Sequence, residues 1–150
     1  MDITNKKGKP MGLTIYTGGT FDLFHKGHAQ FLERAAQLGD VVVALNTDEF
    51  ITEYKSRSPV MSYREREAVL LSCKWVTAVV PNAGGADSKI AIDQVQPDYI
   101  IIGSDWARRD YYYQMGFDQD WLDDRGIGLI YIPYVDGISS TAIKARLTNG

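Results

Sequence analysis

The sequence has 150 residues, enough for one domain with a hydrophobic core, and its 45% hydrophobic and 23% charged residues are ordinary for a globular protein. A net charge of −3 indicates no general affinity for nucleic acid or for an anionic membrane, so we expect neither as a partner. The single cysteine excludes an intramolecular disulfide and a cysteine-based zinc site. The polar start of the chain has no apolar signal core. We therefore expect a flexible leader over 1–11, one domain over 12–150 and a cytoplasmic location.

In chain order, short apolar runs rich in β-branched residues alternate with helical patterns. The predicted strands are Leu13–Thr17, Val41–Asn46, Val76–Pro81, Tyr99–Gly103 and Gly128–Ile132. The predicted helices are Gly27–Leu38, Tyr63–Cys73, Ser88–Gln94, Gln119–Asp124 and about Ser140–Leu147. This alternation predicts an α/β fold with a Rossmann-like, doubly wound parallel sheet of about five strands. Two segments that follow strands, Glu49–Met61 and Asp105–Phe117, have no regular pattern and are candidates to border a ligand site.

The segment Gly18–His28 lies where the first predicted strand passes into the first predicted helix, and it contains both histidines of the chain. The first amides of a helix lack intrahelical partners, so such a junction binds anions readily. Histidines three residues apart share a helix face. A pair of glycines after a strand is also a common tight turn, and the glycines alone would indicate no more than that.

The motif Gly19-Thr20-Phe21-Asp22-Leu23-Phe24-His25-Lys26-Gly27-His28 resembles the Gly-x-Phe-Asp-x-x-His-x-Gly-His signature of the nucleotidyltransferase superfamily, in its cytidylyltransferase branch. Further matches follow in order: Leu32-Glu33-Arg34-Ala35, Thr47-Asp48-Glu49-Phe50, Ser62-Tyr63 with Arg66, Gly103-Ser104-Asp105-Trp106 and Gly137-Ile138-Ser139-Ser140-Thr141. Together they resemble the bacterial glycerol-3-phosphate cytidylyltransferases from about Thr14 to Leu147. The resemblance implies attack by a substrate phosphate on the α-phosphate of CTP, release of pyrophosphate, Mg²⁺ as cofactor and, more weakly, a homodimer.

By the same resemblance, His25 and His28 stabilise the transition state, and Lys55 and Arg57 grip phosphates in place of a family Lys-x-Lys. The nucleotide-binding residues implied are Gly18, Gly19, Thr20, Phe21, Asp22, Gly27, Arg66, Gly103, Asp105, Trp106, Gly137, Ile138, Ser139, Ser140 and Thr141. No metal ligand from the protein is predicted.

Several of these residues have a second interpretation that the sequence leaves open. Lys55 and Arg57 also suit a solvated loop, and Arg66 also suits a helix-surface pair with Glu65 or Glu67. The hydroxyls of Ser139–Thr141 suit a phosphate cradle, although a plain N-cap needs only one of them. Trp106 suits either a base contact or the core.

The sequence departs from the family where Tyr134-Val135 replaces an Arg-Thr pair, and Arg108 or Arg109 is a candidate to supply the missing charge. Tyr111, Tyr112 and Tyr113 with these arginines are candidate acceptor-binding residues.

Three functions remain open at this point. The first is CMP transfer from CTP to a small phosphorylated alcohol or polyol. The second is an adenylyltransferase of the heptose-phosphate kind. That branch has an Arg-Pro-Val segment, and Ser58-Pro59-Val60 of this chain resembles it. The third is a nucleotide-binding module without catalysis.

Overall fold

The computed structural model of the chain describes residues 4–5, 12–84, 86–103, 116–133 and 139–149. The strands are β1 (Thr4–Asn5), β2 (Thr14–Gly19), β3 (Asp40–Asn46), β4 (Val76–Asn82), β5 (Tyr99–Gly103) and β6 (Gly128–Ile132). The helices are α1 (Lys26–Ala36), α2 (Asp48–Lys55), α3 (Tyr63–Ser72), α4 (Ala86–Val95), α5 (Gln119–Asp123) and α6 (Ser140–Asn149). Each of the five predicted strands and five predicted helices is found, with ends that differ by a few residues.

The strands form one sheet in the order β1-β4-β3-β2-β5-β6, and β2 through β6 are mutually parallel. The chain moves outward from β2 to β3 and β4, and then returns past β2 to place β5 and β6 on the other side. The order of strands therefore reverses between β2 and β5, which opens a crevice at their carboxyl ends. The predicted Rossmann-like α/β fold is confirmed.

A sixth strand comes from the segment that the sequence indicated as a leader. Thr4 and Asn5 pair antiparallel with Val79 and Ala78 at the outer edge of β4. The prediction of a flexible leader is therefore wrong at these two residues. A polar strand of two residues carries little hydrophobic signal, which is why the pattern gave no indication of it.

Helices cover both faces of the sheet, so the middle strands are apolar on both sides. One buried cluster contains Tyr16, Val42, Ala78, Ile92, Ile100 and Leu122. The other contains Ile15, Phe31, Leu32, Val41, Leu70 and Ile101. Neighbouring residues of one strand, such as Ile15 and Tyr16, thus fall in opposite clusters. This continuous burial makes the strands a rigid base for the loops at their carboxyl ends.

Over 49–55, helix α2 contradicts the expectation that Glu49–Met61 is irregular, whereas 56–61 has no helix or strand, as expected. The Thr47 side chain accepts a hydrogen bond from the Phe50 amide at 3.2 Å and caps the helix, while Asp48 and Glu49 lie in its first turn. Acidic residues there interact favourably with the positive end of the helix. The helix ends at Ser56, which adopts a left-handed conformation with φ of 57°. The Thr-Asp-Glu sequence was the available signal for this helix.

Within the described ranges, no helix has the length and apolar character needed to cross a membrane.

Candidate nucleotide-binding cleft

A cleft of about 250 Å³ lies at the carboxyl ends of β2, β3 and β4, beside the point where the strand order reverses. Its lining combines the glycine-rich end of β2 with polar groups from β3 and β4 and with basic residues from two helices. The lining residues are Gly18, Gly19, Thr20, Phe21, Asp22, His28, Asn46, Phe50, Ile51, Tyr54, Lys55, Arg57, Ser58, Pro59, Asn82, Ile102, Ser140, Thr141 and Lys144.

The loop between β2 and α1 is held in a conformation that L-residues seldom adopt. Phe21 and Leu23 have φ values of 51° and 50°, in the left-handed region. The Asp22 carboxylate fixes the loop by accepting the amide N–H groups of Val60 at 2.7 Å and Met61 at 2.9 Å. Backbone strain persists only where surrounding contacts over-determine it. These contacts therefore place the loop rigidly at the mouth of the cleft.

The two histidines lie against each other at the start of α1. Their ring centroids are 3.9 Å apart and the rings are stacked at 24°. The His25 Nδ1 accepts the Gly27 amide at 3.0 Å, and the His28 Nδ1 accepts the His25 amide at 3.2 Å. The phenyl ring of Phe21 packs on His28 at 5.2 Å between centroids. His28 lines the cleft, whereas His25 is the N-cap of the helix, stacks on His28 and is not among the described lining residues.

These hydrogen bonds determine which ring nitrogen carries the proton. A nitrogen that accepts a backbone N–H is itself unprotonated, so each neutral imidazole holds its hydrogen on Nε2. Burial lowers the pKa of His28 to about 3, assisted by the neighbouring His25, and burial also lowers the pKa of His25. At neutral pH His28 is therefore a neutral N–H donor, a group that suits phosphate oxygens.

The lowered pKa of His28 predicts a loss of stability in mild acid. Between pH 6.5 and about 3 the unfolded chain binds a proton at His28 that the folded chain excludes, so stability falls as the pH falls through this window. We expect His28 to lower the free energy of unfolding by about 2 kcal/mol between pH 7 and pH 5. Urea unfolding at both pH values measures this, with His28→Asn as the comparison. An equal pH dependence in the two proteins would contradict the prediction.

Among the described lining residues of the cleft, three side chains are cationic. The sequence singled out Lys55 and Arg57, which lie at the end of α2 and just beyond it, and both line the cleft. Lys144, on α6, was missed by the sequence reasoning. Its position three residues after Thr141 puts it one helical turn from a residue already implicated, and that spacing was the available signal.

The three hydroxyl residues before and within α6 have different hydrogen-bond partners. The Ser139 Oγ accepts the Ala142 amide at 3.0 Å and is a plain N-cap. The Ser140 Oγ donates to the Asp22 carbonyl at 2.6 Å and thereby joins α6 to the loop after β2. Ser140 and Thr141 line the cleft. Ser139 accepts the Ala142 amide as an N-cap does and is not among the described residues that line the cleft, so the phosphate cradle stays a prediction for this residue.

Arg66 contradicts both interpretations that the sequence left open. Its side chain is fully buried, with 0% exposure, and pairs with neither Glu65 nor Glu67. Its donors are instead used within the protein: Nε donates to the Met61 carbonyl at 3.0 Å, Nη1 to the Thr20 and Asn46 carbonyls at 2.9 Å each, and Nη2 to Asp48 Oδ1 at 2.6 Å. Arg66 therefore holds together the loops that surround the cleft, and it presents no surface to a phosphate.

The glycines of the motif have different reasons to be small. A Cβ on Gly19 would come within 2.7 Å of the Phe21 ring, whereas one on Gly18 would meet the Asn82 amide nitrogen only at 3.5 Å. Gly27 is buried and its N–H already donates to His25, so it serves the histidine geometry rather than a phosphate. Gly103 lies at the end of β5 and lines a smaller recess shared with His28.

Some predicted site residues lie outside the described residues. They are Asp105, Trp106, Arg108, Arg109, Tyr111, Tyr112, Tyr113, Gly137 and Ile138, and with them the Tyr134-Val135 departure. Their roles stay predictions from the resemblance.

Comparison with known proteins finds relatives along most of the chain. A model of the cytidylyltransferase-like family matches residues 16–146. The glycerol-3-phosphate cytidylyltransferase of Bacillus subtilis is 37% identical over 134 residues, which is 89% of this chain and 95% of that protein. The protein of the same name from Staphylococcus aureus is 34% identical over 134 residues, 89% of this chain and 93% of that protein. A lipopolysaccharide core biosynthesis protein from Thermoplasma volcanium has a similar fold, with a TM-score of 0.62 and 23% identity over 82% of this chain and 96% of that one.

Proposed function

Because the chain belongs to the cytidylyltransferase-like family, we propose that it transfers CMP from CTP to a small phosphorylated alcohol or polyol resembling glycerol 3-phosphate. The observation that carries the proposal is the convergence on one cleft of His28, the cations Lys55, Arg57 and Lys144, and the start of α6. Donors and cations of this kind suit a triphosphate and the charge that develops on it during reaction.

The chemistry follows from the groups in the cleft. An oxygen of the acceptor phosphate bonds to the α-phosphorus of CTP, the bond from that phosphorus to the bridging oxygen of the β-phosphate breaks, and pyrophosphate leaves with the electron pair. No proton needs to be removed from an ionised phosphate nucleophile, so catalysis consists of positioning and charge stabilisation. Nε2–H of His28 is a donor for a phosphate oxygen, and the cations balance the charge of the leaving pyrophosphate.

The acidic side chains available in the cleft indicate what charge the acceptor can carry. Among the described lining residues Asp22 is the one acidic side chain, and both of its oxygens already accept backbone N–H groups. An acceptor with an ammonium head group would therefore find three cations and no uncommitted carboxylate in this part of the chain. This favours a neutral alcohol or polyol phosphate over an amino-alcohol phosphate.

We propose that Mg²⁺ binds together with the nucleotide as its cofactor. No group of three His, Cys, Asp or Glu side chains suited to a metal ion occurs in the described portion. The cleft offers mainly N–H donors and cations, which fit phosphate oxygens and do not fit a protein-held metal. When bound to the triphosphate, Mg²⁺ would neutralise part of its charge.

Homodimerisation stays a prediction that light scattering can test.

A substrate panel tests the proposed function. The protein is incubated with Mg²⁺, one of the four nucleoside triphosphates, and glycerol 3-phosphate, a sugar phosphate or phosphoethanolamine, and pyrophosphate is measured. We expect release with CTP and the polyol phosphate. Release with ATP and the sugar phosphate alone would favour the adenylyltransferase, and triphosphate binding without any release would favour a non-catalytic module.

A further inference from the structure

A chain of side-chain hydrogen bonds, buried at one end and part-buried at the other, runs along the cleft across the carboxyl ends of β4, β3 and β2. The Asn82 Nδ2 lies 3.0 Å from the Asn46 Oδ1, and the Asn46 Nδ2 lies 3.0 Å from the Thr20 Oγ1. Asn46 and Asn82 are 8% and 3% exposed. All three residues line the cleft. Buried amide groups of this kind are costly unless each finds a partner of the right polarity.

The direction of these hydrogen bonds is determined at the Asn82 end. The Gly84 amide and the Ser88 hydroxyl both lie against the Asn82 Oδ1, at 3.1 and 3.0 Å. A backbone N–H can only donate, so the atom facing it must be the amide oxygen. The Asn82 Nδ2 must then point at Asn46 and donate to its oxygen.

The same reasoning continues to the glycine-rich loop. Since the Asn46 Oδ1 accepts from Asn82, its Nδ2 faces Thr20 and donates to Oγ1. The Thr20 hydroxyl therefore accepts on this side and keeps its own hydrogen for another partner. Tyr54 Oη, 3.2 Å away on the exposed side, is one such partner. A phosphate oxygen can only accept, so it is matched to this free hydroxyl hydrogen.

We propose that Asn82 and Asn46 are positioning residues that orient the Thr20 hydroxyl as a hydrogen-bond donor to the triphosphate. The inference rests on the proposed function, because it requires a nucleoside triphosphate in the cleft. It assigns a role to two asparagines that no motif of the sequence indicated, and it explains why the Gly-Gly-Thr loop is joined to β3 and β4 by side chains.

Asn82→Asp tests the proposal with almost no change of shape. The aspartate accepts from Gly84 and Ser88 but cannot donate, so Asn46 must turn its amide and donate to Asp at this position. Its oxygen then faces Thr20 and takes the hydroxyl hydrogen. We expect calorimetric titration with CTP and Mg²⁺, without acceptor, to show affinity about tenfold weaker than wild type. Ser88→Ala keeps the Gly84 donor, so its loss should stay below threefold.

A double-mutant cycle with Thr20→Val separates orientation from the effect of a new negative charge. If Asn82→Asp acts through Thr20, it should change affinity less than twofold in the Thr20→Val background. An equal tenfold loss in that background would overturn the proposal, and so would an unchanged affinity in Asn82→Asp alone. Asn46→Asp, which also takes the Thr20 hydrogen, gives a second cycle should Asn82→Asp fail to fold.

Titration of the wild-type protein distinguishes a failure of the proposed function from a failure of this inference. If none of the four triphosphates binds to the wild-type protein, the proposed function is overturned, and this inference with it. Binding by wild type together with an additive cycle would overturn the inference alone and leave the proposed function standing.

Discussion

His28→Ala is expected to lower kcat/KM by on the order of 100-fold or more, because under the proposed function it removes a hydrogen-bond donor to the reacting phosphate. The Nδ1 atom of His28 is used by the His25 amide, and so Nε2–H is the donor left for a ligand. The ring is also held by Phe21 and by stacking on His25, so it needs no reorganisation when the transition state forms. Pyrophosphate release under subsaturating CTP measures the loss.

Two comparisons make the His28 result specific. His28→Asn keeps an acceptor for the His25 amide and a donor for the phosphate, so we expect it to recover part of the lost activity. Thermal unfolding of both variants checks that the fold is intact. Full activity in His28→Ala would refute the proposed role, and equal loss in both variants with unchanged melting temperatures would show that an imidazole itself is required.

Arg66→Met is expected to destabilise the fold by about 3 kcal/mol, at the low end of the range for breaking a buried ion pair because Asp48 is 40% exposed. Methionine fills much of the volume but leaves the carbonyls of Thr20, Asn46 and Met61 without their donor. Buried carbonyls without partners are costly. Urea unfolding at pH 7 measures the change.

Arg64→Met is the matched control for Arg66→Met. Arg64 lies on the same helix, is 83% exposed in its side chain and pairs with Glu67 at 2.9 Å. Exposed pairs of this kind contribute little, so we expect a change within about 0.5 kcal/mol. If Arg66→Met instead leaves stability unchanged and raises KM for CTP, Arg66 contacts phosphate after all.

The parts of the fold that depend on local pattern could be predicted from the sequence. The five parallel strands are continuous apolar runs, and the Ser62–Glu65 capping box that begins α3 is present as its spacing indicated. The resemblance to the cytidylyltransferase branch is confirmed by the match over residues 16–146. These features are encoded by neighbouring residues, which is the range over which a sequence pattern carries information.

The features that the sequence reasoning missed depend on long-range contacts. Arg66 follows a glutamate on a helix and has the local pattern of a surface charge, yet its guanidinium reaches a carbonyl 46 residues away at Thr20. Asn46 and Asn82 end two different strands and become one network only because β3 and β4 are neighbours. No local pattern distinguishes such residues from solvated ones, and their roles follow from the topology of the sheet.

The hydrogen bond between Ser140 and Asp22 joins residues 118 positions apart in the chain. Its formation closes a loop that contains most of the protein, so the entropy of that closure must be offset before the two walls of the cleft meet. Partly folded chains that lack α6 therefore present only one side of the cleft. A ligand that contacts both sides binds the native chain alone, and it stabilises the folded state by RT ln(1 + L/Kd), an amount that grows with the free ligand concentration L.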